Sequence, residues 1–251
     1  MRAMLSLVIA SLFASSAFAD AVKVYAAAAV KEPLLKMVAQ YEAKTGHKVI
    51  CVFDTAGATN QKFQDDAQAA LLITTQALIS QGEKTGRLAA GRSYVLGDTV
   101  ASIAAPPRSA KPDISSAEKL KAALLAARRI AFSDPARGAT VGTHFIKVIE
   151  ALGIKDEVLK KATLAQDGLE TMHLILEGKA DLGVTQSSEV VQASREALVG
   201  PFPREFELAT TFSLWHRAAV SPAAAGFAAL MTSPAARALL QDEGVRPPSA
   251  R

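Results

Sequence analysis

Hydrophobic positions along this chain fall into two alternating textures. Short solid apolar runs give way to stretches whose apolar residues recur at helical spacing. The first run, "AVKVYAAAA" (Ala21 to Ala29), reads as a buried strand ending in small residues. The next stretch, "KEPLLKMVAQYEAKTG", puts Leu34, Leu35, Val38 and Tyr41 on one helical face, with Pro33 in the first turn and Gly46 as the stop. "HKVICVF" predicts a second strand and "DTAGATNQKFQDDAQA" a turn opening a short helix. "AALLITT" and "QALISQGEKTG" repeat the strand-then-helix pattern. Strands alternating with helices predict βαβ units and a parallel sheet.

The texture then changes. "SYVLGDTVASIAAPP" (Ser93 to Pro107) reads as a long strand or crossover, broken by Pro106, Pro107 and Pro112. A second α/β series follows: the helix "SAEKLKAALLAA", capped by Ser116, the strand "RRIAFSD", the helix "TVGTHFIKVIEALG", and the strand "ADLGVTQ" running into "SSEVVQA". The tail "PAAAGFAALMTSPAARALLQDEG" is helical with an interruption near Ser233-Pro234. Two mostly parallel α/β lobes are therefore expected, with a cleft and hinge between them. Residues 20–101 and 210–251 make lobe 1, and residues 102–209 make lobe 2. In open α/β sheets a ligand lies beyond the carboxyl ends of the strands, and two such lobes close on it by hinge motion.

The start of the chain sets the compartment. "MRAMLSLVIASLFASSAFA" has an early Arg2, an apolar stretch and a small-residue ending at Ala17-Phe18-Ala19. Residues 1–19 read as a secretory signal removed before Asp20, and the apolar run is too short to span a bilayer. A periplasmic protein that is not membrane-embedded is expected. The net charge of +4 at pH 7 is spread among acids rather than clustered with aromatics, which argues against nucleic-acid binding and suits a small anionic ligand. The single cysteine, Cys51, sits in an apolar run and reads as a core residue. His47, His144, His173 and His216 show no metal-ligand spacing. No Walker loop, H-E-x-x-H, G-x-S-x-G or G-x-G-x-x-G occurs. No cofactor is called for, and a monomer is expected.

Candidate chemistry gathers in turns that enter helices. In "SDPARGATVGTHF" (Ser133 to Phe145), Gly138 and Gly142 permit close backbone approach, and Thr140 and Thr143 add hydroxyls. The first amides of a helix have no intrahelical partner and carry partial positive charge, so such a turn can hold an anion. It can equally be a connector in which Thr140 caps the helix. Similar turns hold Thr55 and Ala56 in "DTAGATN", Thr74 and Thr75 in "ITTQ", and Gln186 and Ser187 in "VTQSSE". Ala28 and Ala29 end the first strand. His144 could bind a carboxylate, act as a base near neutral pH, or pack beside Phe145.

The segments "VKVYAAAAVKEPLLKMVAQYEAKTGHKV", "AALLITTQALISQGEKTGRL", "IAFSDPARGATVGTHFIKVIEALGI" and "GKADLGVTQSSEV" resemble, in order, those of molybdate-type periplasmic solute-binding proteins. The resemblance covers nearly all of the mature chain and implies a type II periplasmic-binding fold. The turns read above then make Ala28, Ala29, Thr55, Ala56, Thr74, Thr75, Thr140, Thr143, His144, Gln186 and Ser187 the candidate ligand contacts. Three positions depart from that family's pattern. Its first strand usually ends in a donor Ser, where this chain has Ala27 to Ala29; its A-D-V-F-I-S-A strand is "AALLITT" here; and its Tyr after "ADxGI-V" is Gln186. A buried oxyanion needs a full shell of donors, so these losses argue against molybdate. The variant "KPDIS…IAxxDPxxGxTxGxHF…GxADLGVxQxSE" looks like a divergent branch that is similar to carboxylate binders and to aconitate isomerase. Two functions are thus implied. One is capture of a small organic di- or tricarboxylate for an ABC permease and its ATPase. The other is interconversion of trans- and cis-aconitate by a 1,3 proton shift, with His144 as catalytic base.

Overall fold

The computed structural model describes residues 21–248. The secretory signal expected in residues 1–19 lies outside them. The chain opens with strand β1 (Val22–Ala27), then a 3-10 turn over Ala28–Val30 and helix α1 (Lys31–Thr45). The alanine run therefore stays extended only to Ala27. Gly46 ends α1 in the left-handed conformation with φ 73°, the conformation glycine adopts without penalty. Leu35, expected on the apolar face, is 37 % exposed. Met37 is buried with Pro33, Leu34 and Tyr41 in its place, so the buried stripe is rotated from the expected one. Cys51 on β2 (Val49–Asp54) is half-buried beside the core, and burial pushes its thiol up to about 12.

Helix α2 (Ala56–Asp65), β3 (Leu71–Thr75) and α3 (Gln76–Lys84) complete the first series. Strands β2, β1 and β3 pair in parallel, and β3 then pairs antiparallel with β9 (Ala209–Arg217). The long strand β4 (Gly91–Ala104) joins the halves. Residues Gly91 to Val100 pair with β9, whereas Ala101 to Ala104 pair with β7 (Leu182–Gln186). One strand that changes partner thus belongs to two half-sheets. Five helices and three strands of the middle follow among the described residues. They are α4 (Ala117–Ala126), capped by Ser116, then β5 (Ile130–Ser133), α5 (Thr140–Ala151) and a short α6 (Lys155–Leu159), followed by β6 (Ala162–Ala165), α7 (Gly168–Leu176), β7 and α8 (Ser187–Ser194). Strands β6, β5 and β7 pair in parallel. Short β8 (Leu198–Pro201) lies against β4. The tail forms α9 (Pro222–Met231) and α10 (Pro234–Asp242), split where the proline was read.

Each half-sheet is covered on both faces, as parallel sheets require. In the first half, Leu34, Met37, Leu71, Leu214 and Phe227 fill one side, and Tyr25, Phe63, Leu72 and Trp215 the other. In the second half, Ile103, Phe132, Phe145 and Ile149 pack together, with Phe132 and Phe145 edge to face at 5.0 Å. Met172, Ile175 and Val190 fill the opposite face. The carboxyl ends of β1, β2, β5 and β7 carry turns that open onto a common cleft.

Candidate functional site

A cavity lies between the halves, lined by residues at strand ends and helix starts. The first half contributes Ala27, Ala28, Ala29, Thr55 and Ala56, backed by Phe212 of β9. The second contributes Ser133, Ala139, Thr140, Val141, Gly168, Thr185, Gln186 and Glu189. The helices that start there are α2, α5, α7 and α8, with the 3-10 turn leading into α1. Helix starts leave amides without intrahelical partners. Several of them around one cavity make a donor-rich, electropositive lining that favours an anion.

Contacts close the cleft on two sides. At its mouth, Gly57 N–H donates to the Gly138 carbonyl at 3.1 Å. Arg137 grips both oxygens of Asp54 at 2.8 and 2.9 Å. Burial works to raise the Asp54 carboxyl, but Lys62, the Thr55 amide and Arg137 overcome it and hold it below its ordinary value. The Thr55 hydroxyl donates to the Arg137 carbonyl and accepts from the Ala58 amide at 3.2 Å. On the other side, Gln192 of α8 donates to the Ala29 carbonyl at 2.7 Å and accepts from the Glu32 amide at 3.1 Å. The two mouth glycines touch so closely that a Cβ on Gly57 would meet the Gly138 Cα at 2.7 Å.

Of the residues read from the sequence, the structure brings Ala28, Ala29, Thr55, Ala56, Thr140 and Gln186 into the cavity lining. Gln186 is already engaged: Thr99 donates to its side-chain oxygen at 3.1 Å, and its amide donates to Thr210 at 3.2 Å. Thr140 does not cap α5. Ala139 holds the cap position without a side-chain bond, and Thr140 faces both this cavity and a second one beside it. That neighbouring cavity is lined by Thr75, Gln76, Ser80, Thr140, Thr210 and Thr211, among others.

Five predicted residues lie outside the first cavity. Thr74 donates to the Ala56 carbonyl at 2.8 Å and so supports the wall from behind. Thr75 caps α3 through the Leu78 amide and reaches only the neighbouring cavity. Ser187 accepts from the Val100 amide at 3.2 Å and bonds Thr99 at 3.1 Å, which fixes it to β4. Thr143 is exposed on α5. His144 is stacked on Phe202 at 5.9 Å, and its Nε2 donates to the Phe206 carbonyl at 2.8 Å. A carbonyl only accepts, so that nitrogen carries the proton. His144 is not among the residues that line the first cavity.

Sequence reasoning passed over Ser133, Thr185, Gly168 and Glu189. Ser133 stood at the head of "SDPARG" and is buried at the end of β5. Glu189 stands three residues into "QSSE", a capping-box spacing. The box forms: the Gln186 amide donates to Glu189 Oε2 at 3.1 Å. Burial pushes the Glu189 carboxyl up to about 7, against hydrogen bonds from Thr185 and the Gln186 amide, which work to lower it. Among the described residues, no group of three or more His, Cys, Asp or Glu side chains is placed to hold a metal ion. No single helix there is long and apolar enough to cross a membrane.

Comparison with known proteins places this architecture. The model of a family described as bacterial extracellular solute-binding protein matches residues 22–246. The molybdate-binding protein ModA of Escherichia coli K12 is 25% identical over 197 residues, 76% of each chain. The solved periplasmic molybdate-binding protein of Azotobacter vinelandii superposes with a TM-score of 0.72 at 20% identity, covering 91% of this chain and 100% of that one. PEB3, solved with L-phospholactate bound, superposes with a TM-score of 0.63 at 17% identity, over 90% and 99%.

Proposed function

Because this chain belongs to the bacterial extracellular solute-binding protein family, we propose that it is a periplasmic receptor for a small organic di- or tricarboxylate. A membrane permease and its ATPase would receive the closed, loaded protein. The observation that carries this reading is the convergence of helix starts on one closed, anion-suited cavity. The preference for a carboxylate over molybdate draws on two further points. Ala27, Ala28 and Ala29 offer no hydroxyl to complete a tetrahedral shell. The Thr140-bridged second cavity gives the far end of a longer anion a hydroxyl-lined place. PEB3, which holds L-phospholactate, supports the fit of an organic acid in this fold.

We place the hinge where β4 changes partner, between Val100 and Ala101, and at the entry to β9 near Ala209. The first lobe, residues 21–101 with 210–248 of the described chain, then moves against residues 102–209. Opening would break the Asp54–Arg137 pair and part Gly57 from Gly138, and a bound anion would favour closure.

The test is calorimetric titration of the mature protein with citrate, trans-aconitate, molybdate and sulfate. Micromolar or tighter binding of a carboxylate with weaker molybdate binding is the expected result. Molybdate binding tightest of the four would overturn the carboxylate preference. NMR of the trans-aconitate sample reads turnover at the same time, and none is expected from a receptor.

A further inference from the structure

Glu189 is an odd residue to find in the wall of an anion site. It is 6 % exposed and lines the cavity. Its Oε2 takes the Thr185 hydroxyl and the Gln186 amide. Both of those bonds go to the same oxygen, which leaves Oε1 for the cavity that the side chain lines. Room for the carboxyl is made by a glycine on another helix. A Cβ on Gly168 would sit 1.8 Å from Glu189 Oε2 and 2.1 Å from its Cδ. Among the described residues no cation pairs with it. The charge that acts on it is Asp167, at the start of α7, which opposes ionisation; the other titratable groups of α7 are Glu170, which accepts from the Gln166 amide, and the exposed His173, which pairs with Glu177. Helix α8, strand β7 and the turn Ala28–Val30 bring no other titratable side chain. Arg137 is committed to Asp54 and the Gln166 carbonyl. From β4, Asp98 accepts from Thr211. Beyond the far end of α8 stand Glu196 and Arg195, which donates to the Asp242 carbonyl.

An ionised carboxylate facing a bound anion across such a cavity is repulsive, and the low local dielectric magnifies the repulsion. A single proton held between them turns it into a charge-assisted hydrogen bond. We propose that Glu189 Oε1 is the proton-reading contact of the site, holding one shared proton against the bound anion. An anion that retains a proton at neutral pH, such as hydrogen phosphate or a partly protonated tricarboxylate, brings that proton with it. An anion with none, such as sulfate or molybdate, binds only when Glu189 is protonated, which above neutrality means taking a proton up from water. Burial readies the group for this role, since it holds the carboxyl near neutrality.

This inference rests on the anion-receptor reading, and the experiment separates the two. Wild type and Glu189→Gln are titrated calorimetrically with sulfate, molybdate, inorganic phosphate and citrate from pH 5.5 to 8.5, in buffers of different ionisation enthalpy. Glutamine keeps the size and the capping acceptor. For the wild type, proton uptake with sulfate or molybdate should be small at pH 5.5 and rise toward one above neutrality, where affinity falls about tenfold per pH unit. In Glu189→Gln both the uptake and the slope should vanish. Anion binding with no proton uptake, and a pH profile unchanged by the substitution, would overturn the role of Glu189 while leaving the receptor intact. Absence of binding by all four anions in folded wild type would overturn both.

Discussion

The two walls of the cleft are made by the same device, a strand running into a helix, yet they differ in chemistry. The first wall is Ala27, Ala28, Ala29, Thr55 and Ala56, with no titratable side chain and with its one hydroxyl already given to Arg137. The second wall carries Ser133, Thr140, Thr185, Gln186 and a buried carboxyl. What the first wall offers is backbone, which cannot titrate and reads only negative charge. What the second offers can discriminate, through hydroxyl geometry and through a proton. Dependence on pH should therefore follow the second wall alone.

The largest expected effect is on stability. The Glu189 carboxyl titrates at about 7 in the folded protein against an ordinary value of 4.5. The folded state thus binds the proton more tightly, and its contribution is fully present below the ordinary value. It is lost as pH rises from about 4.5 through 7, a cost of about 3 kcal/mol. Thermal unfolding at pH 5 and pH 8 should show the wild type losing roughly 6–12 °C more than Glu189→Gln over that interval. Equal losses in the two proteins would remove the titrating group from the second wall.

Next comes closure. Gly57→Ala puts a methyl 2.7 Å from the Gly138 Cα and 2.9 Å from its carbonyl oxygen, and backbone cannot move aside as a side chain can. The walls should stand apart, and anion affinity should fall by roughly tenfold to a hundredfold. Small-angle scattering should show a larger radius for the variant with anion than for the loaded wild type. A compact, tight-binding variant would mean that the mouth contact is not part of closure.

These two predictions mark how far the sequence carried. The fold, and the turns at Ala28, Thr55 and Thr140, were legible because a strand followed by a helix start is a local pattern. Glu189 was not. Its place in the cavity depends on Gly168, a residue on α7 that must lack a side chain for the carboxyl to fit. Capping-box spacing recorded only its local task. His144 differs in the opposite sense, read as a site residue but standing outside the cavity lining. It is one helical turn beyond Thr140, and that turn is covered by Phe202 and the Phe206 carbonyl, which come from a distant part of the chain. Leu35 shows the same limit: periodicity found the helix but not which edge of its apolar face the core would take.

A smaller effect belongs to the ion pair at the mouth. The Arg137 side chain is 39 % exposed while that of Asp54 is 7 % exposed, and Lys62 remains beside Asp54 when Arg137 is removed. Arg137→Met should weaken anion affinity by only about threefold to tenfold. The deficit should shrink as salt is raised, because screening weakens the wild-type pair. A loss of a hundredfold or more would make Arg137 a ligand contact in its own right, and the charge of the site would then come from a side chain as well as from helix starts.

The smallest effect is expected at His144, and it sharpens the comparison most. The side chain belongs to the second half but to neither wall. Its bond to the Phe206 carbonyl and its stacking on Phe202 tie α5 to the segment leading into β9. His144→Ala leaves that carbonyl without its partner, at a cost of about 1 kcal/mol in denaturant unfolding. Anion affinity, proton uptake and the pH profile should match the wild type, because the cavity lining is untouched. If affinity for citrate or trans-aconitate fell while stability held, the working surface would extend past Thr140 to the outer face of α5. Discrimination would then have to be sought there as well as at Glu189.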